Sequence, residues 1–344
     1  MRGEVEPHPR GPGFRLNGRW QYCLRSILAL YWSSLVVTIR RLVRGPLLPG
    51  WSWTFEAATH YLKAQCRAAF DMPDIEKGRE YLDALVFNSP ALARVRIESV
   101  TAPVRGHWYE PETQEGGRTL LYLHGGGFAY YAKGHQNLIA LVALTARART
   151  FAPDYRLIPE SPFPAQLEDA RAAYRWLLDS GIAPGRLVVA GDSAGGNLVL
   201  GLAVSLRDSQ APLPSLAICL SPWTDVANSG ASMTGNEKYD WVERRMAMKW
   251  AQWLCHGADP RSPLISPIRA DLGGLSPIYV QAGDAEILYD MIRAFVGRAK
   301  EQGVEVTLDV WKHMNHDFQA YGEFMPESKE ALERIGQMID DNIK

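Results

Sequence analysis

The stretch RLVVAGDSAG, residues 186–195, limits the fold more than any other part of the chain. An unbroken apolar run of strand length ends in Gly191-Asp192-Ser193-Ala194-Gly195, and a helical pattern resumes at once from Gly195 to Arg207. A strand that feeds a helix through so short a turn belongs to a βαβ arrangement, in which helices cover a parallel sheet. The turn has the G-x-S-x-G form. Glycines flank the serine because a Cβ at either place would collide with the neighbouring strand or helix, and the sharp turn raises the Ser193 hydroxyl above the sheet. The bare pattern arises easily by chance, so the strand-turn-helix setting carries most of its weight.

The rest of the chain from Arg94 repeats this alternation. RVRIESV, GHWYE, TLLYLH, TFAPDY, RLVVAG, LAICLSP, PIYVQAG and VTLDVW have strand length and are rich in β-branched and aromatic residues. Helical periodicity falls on Asn137 to Arg147, Gln166 to Ser180, Gly195 to Arg207, Ile287 to Gln302 and Glu327 to Ile343. Continuous apolar strands such as LVVA indicate burial on both faces. The expected class is α/β, a mostly parallel central sheet flanked by helices. With 344 residues and 47% hydrophobic side chains the chain can bury a large core as one α/β domain or two smaller ones.

The chemistry gathers at strand ends. His124-Gly125-Gly126-Gly127 directly follows TLLYL, and three glycines leave backbone N–H groups unobstructed beside a site where charge develops on a carbonyl oxygen. A flexible loop or a phosphate cradle is the competing reading, but no GK[ST] follows. A serine nucleophile needs a base and a carboxylate to orient that base. In this architecture both follow the serine along the chain, which leaves His256, His313 and His316. His256 precedes the acid-bearing strand. His316 lies further beyond VTLDVW, where a loop can return it to Ser193, and His313 is the alternative. Three carboxylates, Asp284, Glu286 and Asp290, follow PIYVQAG, and spacing alone does not choose among them.

HGGGF, YRLIPESPFPAQLEDA, GDSAGGN, SPWTD and HMNHDF, in this order, resemble the hormone-sensitive lipase-like family of α/β-hydrolases, which includes many small carboxylesterases. The resemblance runs from about Arg94 to the C-terminus and implies an α/β-hydrolase fold with a helical cap. Its D-x-L-x-D pattern reads Glu286-Ile287-Leu288-Tyr289-Asp290 here, which implies Glu286 as the acid, a glutamate in place of the commoner aspartate; Asp284 takes the role if the loop shifts by two residues. The resemblance also implies Gly126, Gly127 and Ala194 as oxyanion donors, and Asp154-Tyr155-Arg156 with Glu168-Asp169 as braces of the nucleophile and oxyanion loops. The implied activity is hydrolysis of small to medium acyl esters through an acyl-enzyme, with no cofactor and no metal. The same triad also serves amide or lactone hydrolysis or acyl transfer. A catalytically silent small-molecule receptor on this fold typically loses part of the triad, whereas all three positions here hold competent residues.

In domain terms, residues 1–93 read as a helical N-terminal region contributing to the cap, and 94–344 as the catalytic domain with a cap insert at about 226–262. Trp241, Met246, Met248, Trp250 and Trp253 in that insert fit either ordinary core or the lining of an acyl pocket. Net charge −1 gives no field to draw a polyanion, so no nucleic-acid partner is expected. Cys23, Cys66, Cys219 and Cys255 form no CxxC pair, which argues against a zinc knuckle or disulfide framework and for an intracellular, reducing compartment. The charge is polarised: the first fifty residues hold eight arginines against Glu4 and Glu6, so they carry +6 and the remainder −7. Between Arg25 and Arg40 the uncharged run SILALYWSSLVVTI, residues 26–39, is 14 residues long, short of the about 17 to 25 a membrane span requires. It lacks a signal-peptide cleavage pattern. Two readings stand for it, a helix packed on the main domain and a helix lying in a membrane interface with arginines at the headgroups. Oligomeric state is not legible.

Overall fold

A computed structural model describes residues 11–343. Arg2, Glu4, Glu6 and Arg10, counted in the N-terminal charge, lie outside the described residues.

The N-terminal layer holds β1 (Gly13–Leu16), α1 (Trp20–Arg44), α2 (Trp53–Phe70), α3 (Ile75–Leu82) and β2 (Leu85–Asn88), with β1 and β2 paired antiparallel. Side-chain caps start two of these helices: Ser52 accepts from the Phe55 N–H ahead of α2, and Asp74 from the Glu76 N–H ahead of α3. The helix α1 is 25 residues long and continues through Arg25, Arg40 and Arg41, because arginine is a good helix former and does not end a helix. The 14-residue uncharged run therefore understates it, and by length and composition Trp20–Arg44 is long and apolar enough to cross a membrane.

The main sheet comprises β3 (Val95–Val100), β4 (Gly106–Pro111), β5 (Thr119–Leu123), β6 (Arg149–Pro153), β7 (Leu187–Asp192), β8 (Leu216–Leu220), β9 (Ile278–Gly283) and β10 (Val306–Trp311), each on its expected segment. The helices α4 (His135–Ala146), α5 (Ala165–Asp179) and α6 (Ser193–Asp208) connect β5 to β6, β6 to β7 and β7 to β8, four parallel strands. The insert between β8 and β9 carries the short α7 (Ser232–Gly235) and α8 (Arg244–Cys255); α9 (Tyr289–Glu301) and α10 (Pro326–Asn342) complete the chain. The strand order is β10-β9-β8-β7-β5-β6-β4-β3. Pairing is parallel from β10 to β6 and antiparallel at β6–β4 and β4–β3.

Burial follows position. Every residue of β5, β7, β8 and β9 is buried, whereas the edge strands β3 and β10 expose alternate or central residues. In a parallel sheet all strands end on the same side, so the loops after β5, β7, β9 and β10 converge there. Those loops carry His124 to Gly127, Ser193, Glu286 and His316.

Candidate active site

The turn from β7 into α6 is as tight as its sequence requires. A Cβ on Gly195 would stand 1.9 Å from the Leu123 carbonyl oxygen, and one on Gly191 would stand 2.5 Å from it. Ser193 itself has φ +52°, a left-handed conformation that costs a non-glycine residue free energy and that tends to mark functional positions. The start of α6 is anchored by Asn197, whose amide donates to the carbonyls of Trp223 (2.7 Å) and Ile265 (2.9 Å).

The structure brings His316 to this serine: its Nε2 lies 2.8 Å from Ser193 Oγ. Glu286 faces the other ring nitrogen, with Oε2 3.7 Å from Nδ1, which is ion-pair range and longer than a hydrogen bond. Both side chains are almost fully buried. The other two carboxylates are occupied elsewhere. Asp284 accepts the His313 backbone N–H at 2.5 Å, and Asp290 accepts that of Ser232 at 2.9 Å. His313 turns its backbone carbonyl to the Trp51 indole N–H (2.5 Å). The alternative pair of Asp284 and His313 thus braces the loop, and Ser193, His316 and Glu286 stand together.

The His124–Gly127 loop crosses beside the turn. Gly125 N–H and the Tyr122 hydroxyl both donate to Asp192 Oδ1, at 3.0 and 2.9 Å, which ties this loop to the residue preceding the serine. Gly126 and Gly127 have φ of +97° and +61°, and a Cβ would strike the Tyr130 carbonyl at the first and the Trp250 indole at the second. Among the described residues, no hydrogen-bond acceptor is present for the N–H groups of Gly126, Gly127 or Ala194. His124 is sandwiched between the rings of Tyr131 (3.8 Å) and Tyr155 (4.1 Å), and burial holds its pKa well below the ordinary histidine value.

The bracing segments behave unequally. Tyr155 donates its hydroxyl to the His124 carbonyl at 2.6 Å, and Arg156 binds Glu168 and Asp169 at 2.8 to 3.1 Å. Asp154 instead pairs with Arg105 at 3.2 Å, and its own N–H bonds the Arg105 carbonyl, so it fastens the strand ends and does not reach either loop.

Further groups surround His316; of these only Trp241 was singled out from the sequence, and as core or acyl-pocket lining. Asp317 Oδ2 lies 3.2 Å from His316 Nε2, on the same nitrogen that faces Ser193. Asp240 accepts from the backbone N–H of Ile287 and of Trp241, both at 2.7 Å. Asn236 donates to the carbonyls of Asp284 (3.0 Å) and Glu286 (2.9 Å), and the Trp241 indole donates to the His316 carbonyl at 2.7 Å. The insert between β8 and β9 therefore grips both loops. Asp317 adjoins His316 inside HMNHDF, but its contact depends on a left-handed φ of +51° that no local pattern announces.

Electrostatically the site is a histidine among buried carboxylates. Burial alone would lower the His316 pKa, but Asp317, Glu286 and Asp240 outweigh it and push it up to about 10. Burial pushes Glu286 and Asp240 above the ordinary carboxylate range against the opposing pull of His316. Asp317 is driven well above that range, by burial first and then by Asp192, Glu286 and Asp240.

The insert's large side chains divide by position. Met246 is fully buried and Trp250 packs on Gly127, Phe70 and Tyr130, while Met248 is exposed.

A profile of the alpha/beta hydrolase fold family matches residues 120–320. The chain belongs to this family. Within the α/β-hydrolases it is a hormone-sensitive lipase-like member and a carboxylesterase-like hydrolase. The α/β-hydrolase is 43% identical over 238 residues to an acetyl-hydrolase of Streptomyces hygroscopicus, an alignment that covers 67% of this chain and 78% of that one. It is 31% identical to an esterase of Acinetobacter venetianus over 84% of this chain and 96% of the relative. A crystal structure of an esterase from the bacterial hormone-sensitive lipase family superposes with TM-score 0.72 at 33% identity, covering 95% of this chain and all of that one.

Proposed function

We propose that this ester hydrolase works through an acyl-enzyme on Ser193 and accepts small to medium acyl groups. The 2.8 Å approach of His316 Nε2 to Ser193 Oγ, at a serine held with positive φ, carries the reading. As Ser193 Oγ attacks the ester carbonyl carbon, its proton passes to Nε2. The carbonyl electron pair moves onto the oxygen, where the unengaged N–H groups of Gly126, Gly127 and Ala194 receive the charge. Glu286 holds Nδ1–H in place and stabilises the imidazolium; its 3.7 Å separation closes to hydrogen-bond length as that charge develops. Collapse expels the alkoxide, which takes the proton from Nε2. Water then attacks the acyl carbon, giving its proton to the same nitrogen, and the acid leaves with Ser193 regenerated.

No step requires a cofactor. The insert at about 226–262 and the N-terminal region 1–93 act as the cap. Two observations support a small acyl group: the Trp250 indole fills the space beside Gly127, and the Streptomyces relative is named an acetyl-hydrolase. A reducing intracellular compartment suits the four cysteines, all of which are free.

A series of p-nitrophenyl esters from acetate to palmitate tests this. The highest kcat/KM is expected at the short end, with labelling of Ser193 by a fluorophosphonate probe. A chain that hydrolyses none of the esters and takes no label refutes the reading; a maximum at palmitate refutes the acyl-size part alone.

A further inference from the structure

Helices on the surface of a soluble domain turn their apolar stripe inward and their polar stripe to water. α1 does the reverse. Trp20, Leu24, Leu28, Tyr31, Trp32, Leu35, Ile39, Leu42 and Val43 lie along one face of the helix and are all exposed, Trp20 by 70%, Tyr31 by 71% and Leu42 by 82%. Its inner face, with Cys23 and Val37 buried, also carries polar side chains bonded to α2. Ser26 donates to Gln65 at 3.0 Å, Ser33 Oγ lies 3.0 Å from His60 Nδ1, Arg41 pairs with Glu56 at 2.9 Å, and Arg40 pairs with the same carboxylate. Phe14 and Leu16, on one face of β1, add to the exposed apolar surface. A continuous apolar stripe along a helix roughly 37 Å long is far larger than the isolated exposed hydrophobes of ordinary monomers.

We propose that this outward face of α1 is a membrane-binding surface that lies in the plane of an anionic bilayer. Charge selects the occupant. α1 contains no aspartate or glutamate, and Arg25 and Arg44, at opposite ends of the stripe, are both exposed. Anionic headgroups complement such a surface, whereas a second copy of the chain would bring arginines against arginines with no carboxylate on α1 to answer them. The exposed Trp20, Tyr31 and Trp32 are side chains that favour the boundary between headgroup and acyl chain. The bonded inner face fixes the orientation. A crossing helix would carry Ser26, Ser33, Arg40 and Arg41 away from Gln65, His60 and Glu56 into hydrocarbon, so α1 lies on the surface with its polar side kept on the protein.

Co-sedimentation of the full-length protein tests the proposal, with vesicles of phosphatidylcholine alone and of phosphatidylcholine mixed with phosphatidylglycerol. Binding is expected to the mixed vesicles at low salt, to weaken as salt rises, and to fall about fivefold for each of Arg25→Gln and Arg44→Gln. The triple variant Leu28→Glu, Trp32→Glu, Leu35→Glu should lose roughly tenfold or more per side chain while keeping its fold and its ester hydrolysis, since these side chains are exposed on the outer face of α1. The reading out is binding, so Ser193→Ala should sediment like the parent whatever becomes of the catalytic proposal. Failure of the parent to sediment with anionic vesicles at low salt overturns the proposal, as does full retention of binding by the triple variant. A parent that is dimeric, ignores vesicles and becomes monomeric on the triple substitution assigns the face to a second copy instead.

Discussion

The loops that carry Ser193, Glu286 and His316 and the inner face of α1 both bury polar side chains, with different consequences. On α1, Ser26, Ser33 and Arg41 each meet a partner on α2, while Arg40 Nε, Glu56 Oε1 and Gln65 Nε2 in the same interface have no hydrogen-bond partner among the described residues. Around the histidine, His316 Nδ1, both Glu286 carboxylate oxygens and Asp317 Oδ1 have no hydrogen-bond partner among the described residues. An unpaired buried polar atom costs about 1 to 3 kcal/mol. On α1 the unpaired atoms of Arg40 and Glu56 belong to an ion pair, in an interface that only docks one helix on another. Around His316 they flank the ring that takes up charge in the proposed reaction, so hydrogen bonds that tighten there act on the transition state and not on the resting protein.

The comparison breaks first at Ser193. Ser193→Ala should abolish fluorophosphonate labelling and lower ester hydrolysis by about 10⁴-fold or more, with an unchanged circular dichroism spectrum. Undiminished labelling of the alanine variant would place the nucleophile elsewhere and reduce the unpaired atoms around His316 to a structural defect.

The next largest effect separates the acids. Glu286→Gln should lower kcat by about 10³-fold, since an amide neither fixes the Nδ1–H tautomer nor stabilises the imidazolium. Asp284→Asn should change kcat by no more than a few fold, because an amide oxygen still accepts the His313 N–H. The reverse ranking in steady-state kinetics would transfer the acid role to Asp284.

Asp317 tests the electrostatics around the proposed base. A histidine held up to about 10 by surrounding carboxylates keeps its proton until alkaline pH, so kcat/KM should rise with pH through neutrality. Asp317→Asn removes one of those carboxylates, so His316 should release its proton more easily. The acid limb of the kcat/KM profile should therefore move to lower pH, by about one unit or more. An unmoved limb would mean that Asp317 does not act on the base.

Legibility in the sequence follows the same division between chemistry and packing. The strands of the main sheet were readable because burial on both faces forces unbroken apolar runs such as TLLYL and LVVAG, with glycine and proline at their ends. Ser193 and the glycine loop were readable because close backbone approach leaves a local signature. The acid was not, since three carboxylates within seven residues differ only in the direction their loop points them, and the family resemblance had to choose Glu286. The four-residue strands β1 and β2 are too short for any periodicity to register. α1 reads short because arginines bound its uncharged run without ending the helix. Which side of it faces the protein is a tertiary fact: nine apolar residues on one stripe predict an amphipathic helix, and ordinary experience would bury that stripe.

The smallest predicted effect probes that orientation without lipid. Ser26→Ala removes the donor to Gln65 and leaves a buried amide oxygen unmatched, which should cost about 1 to 2 kcal/mol in urea unfolding. Leu35→Ser on the outer face removes no contact that holds the fold and should stay within about 0.5 kcal/mol of the parent. If α1 were docked through its apolar stripe, the order would invert, with Leu35→Ser costing about 2 kcal/mol or more as a buried leucine does. A difference of this size shifts the unfolding midpoint without altering the slope, so the two substitutions measured side by side decide which face of α1 the protein keeps.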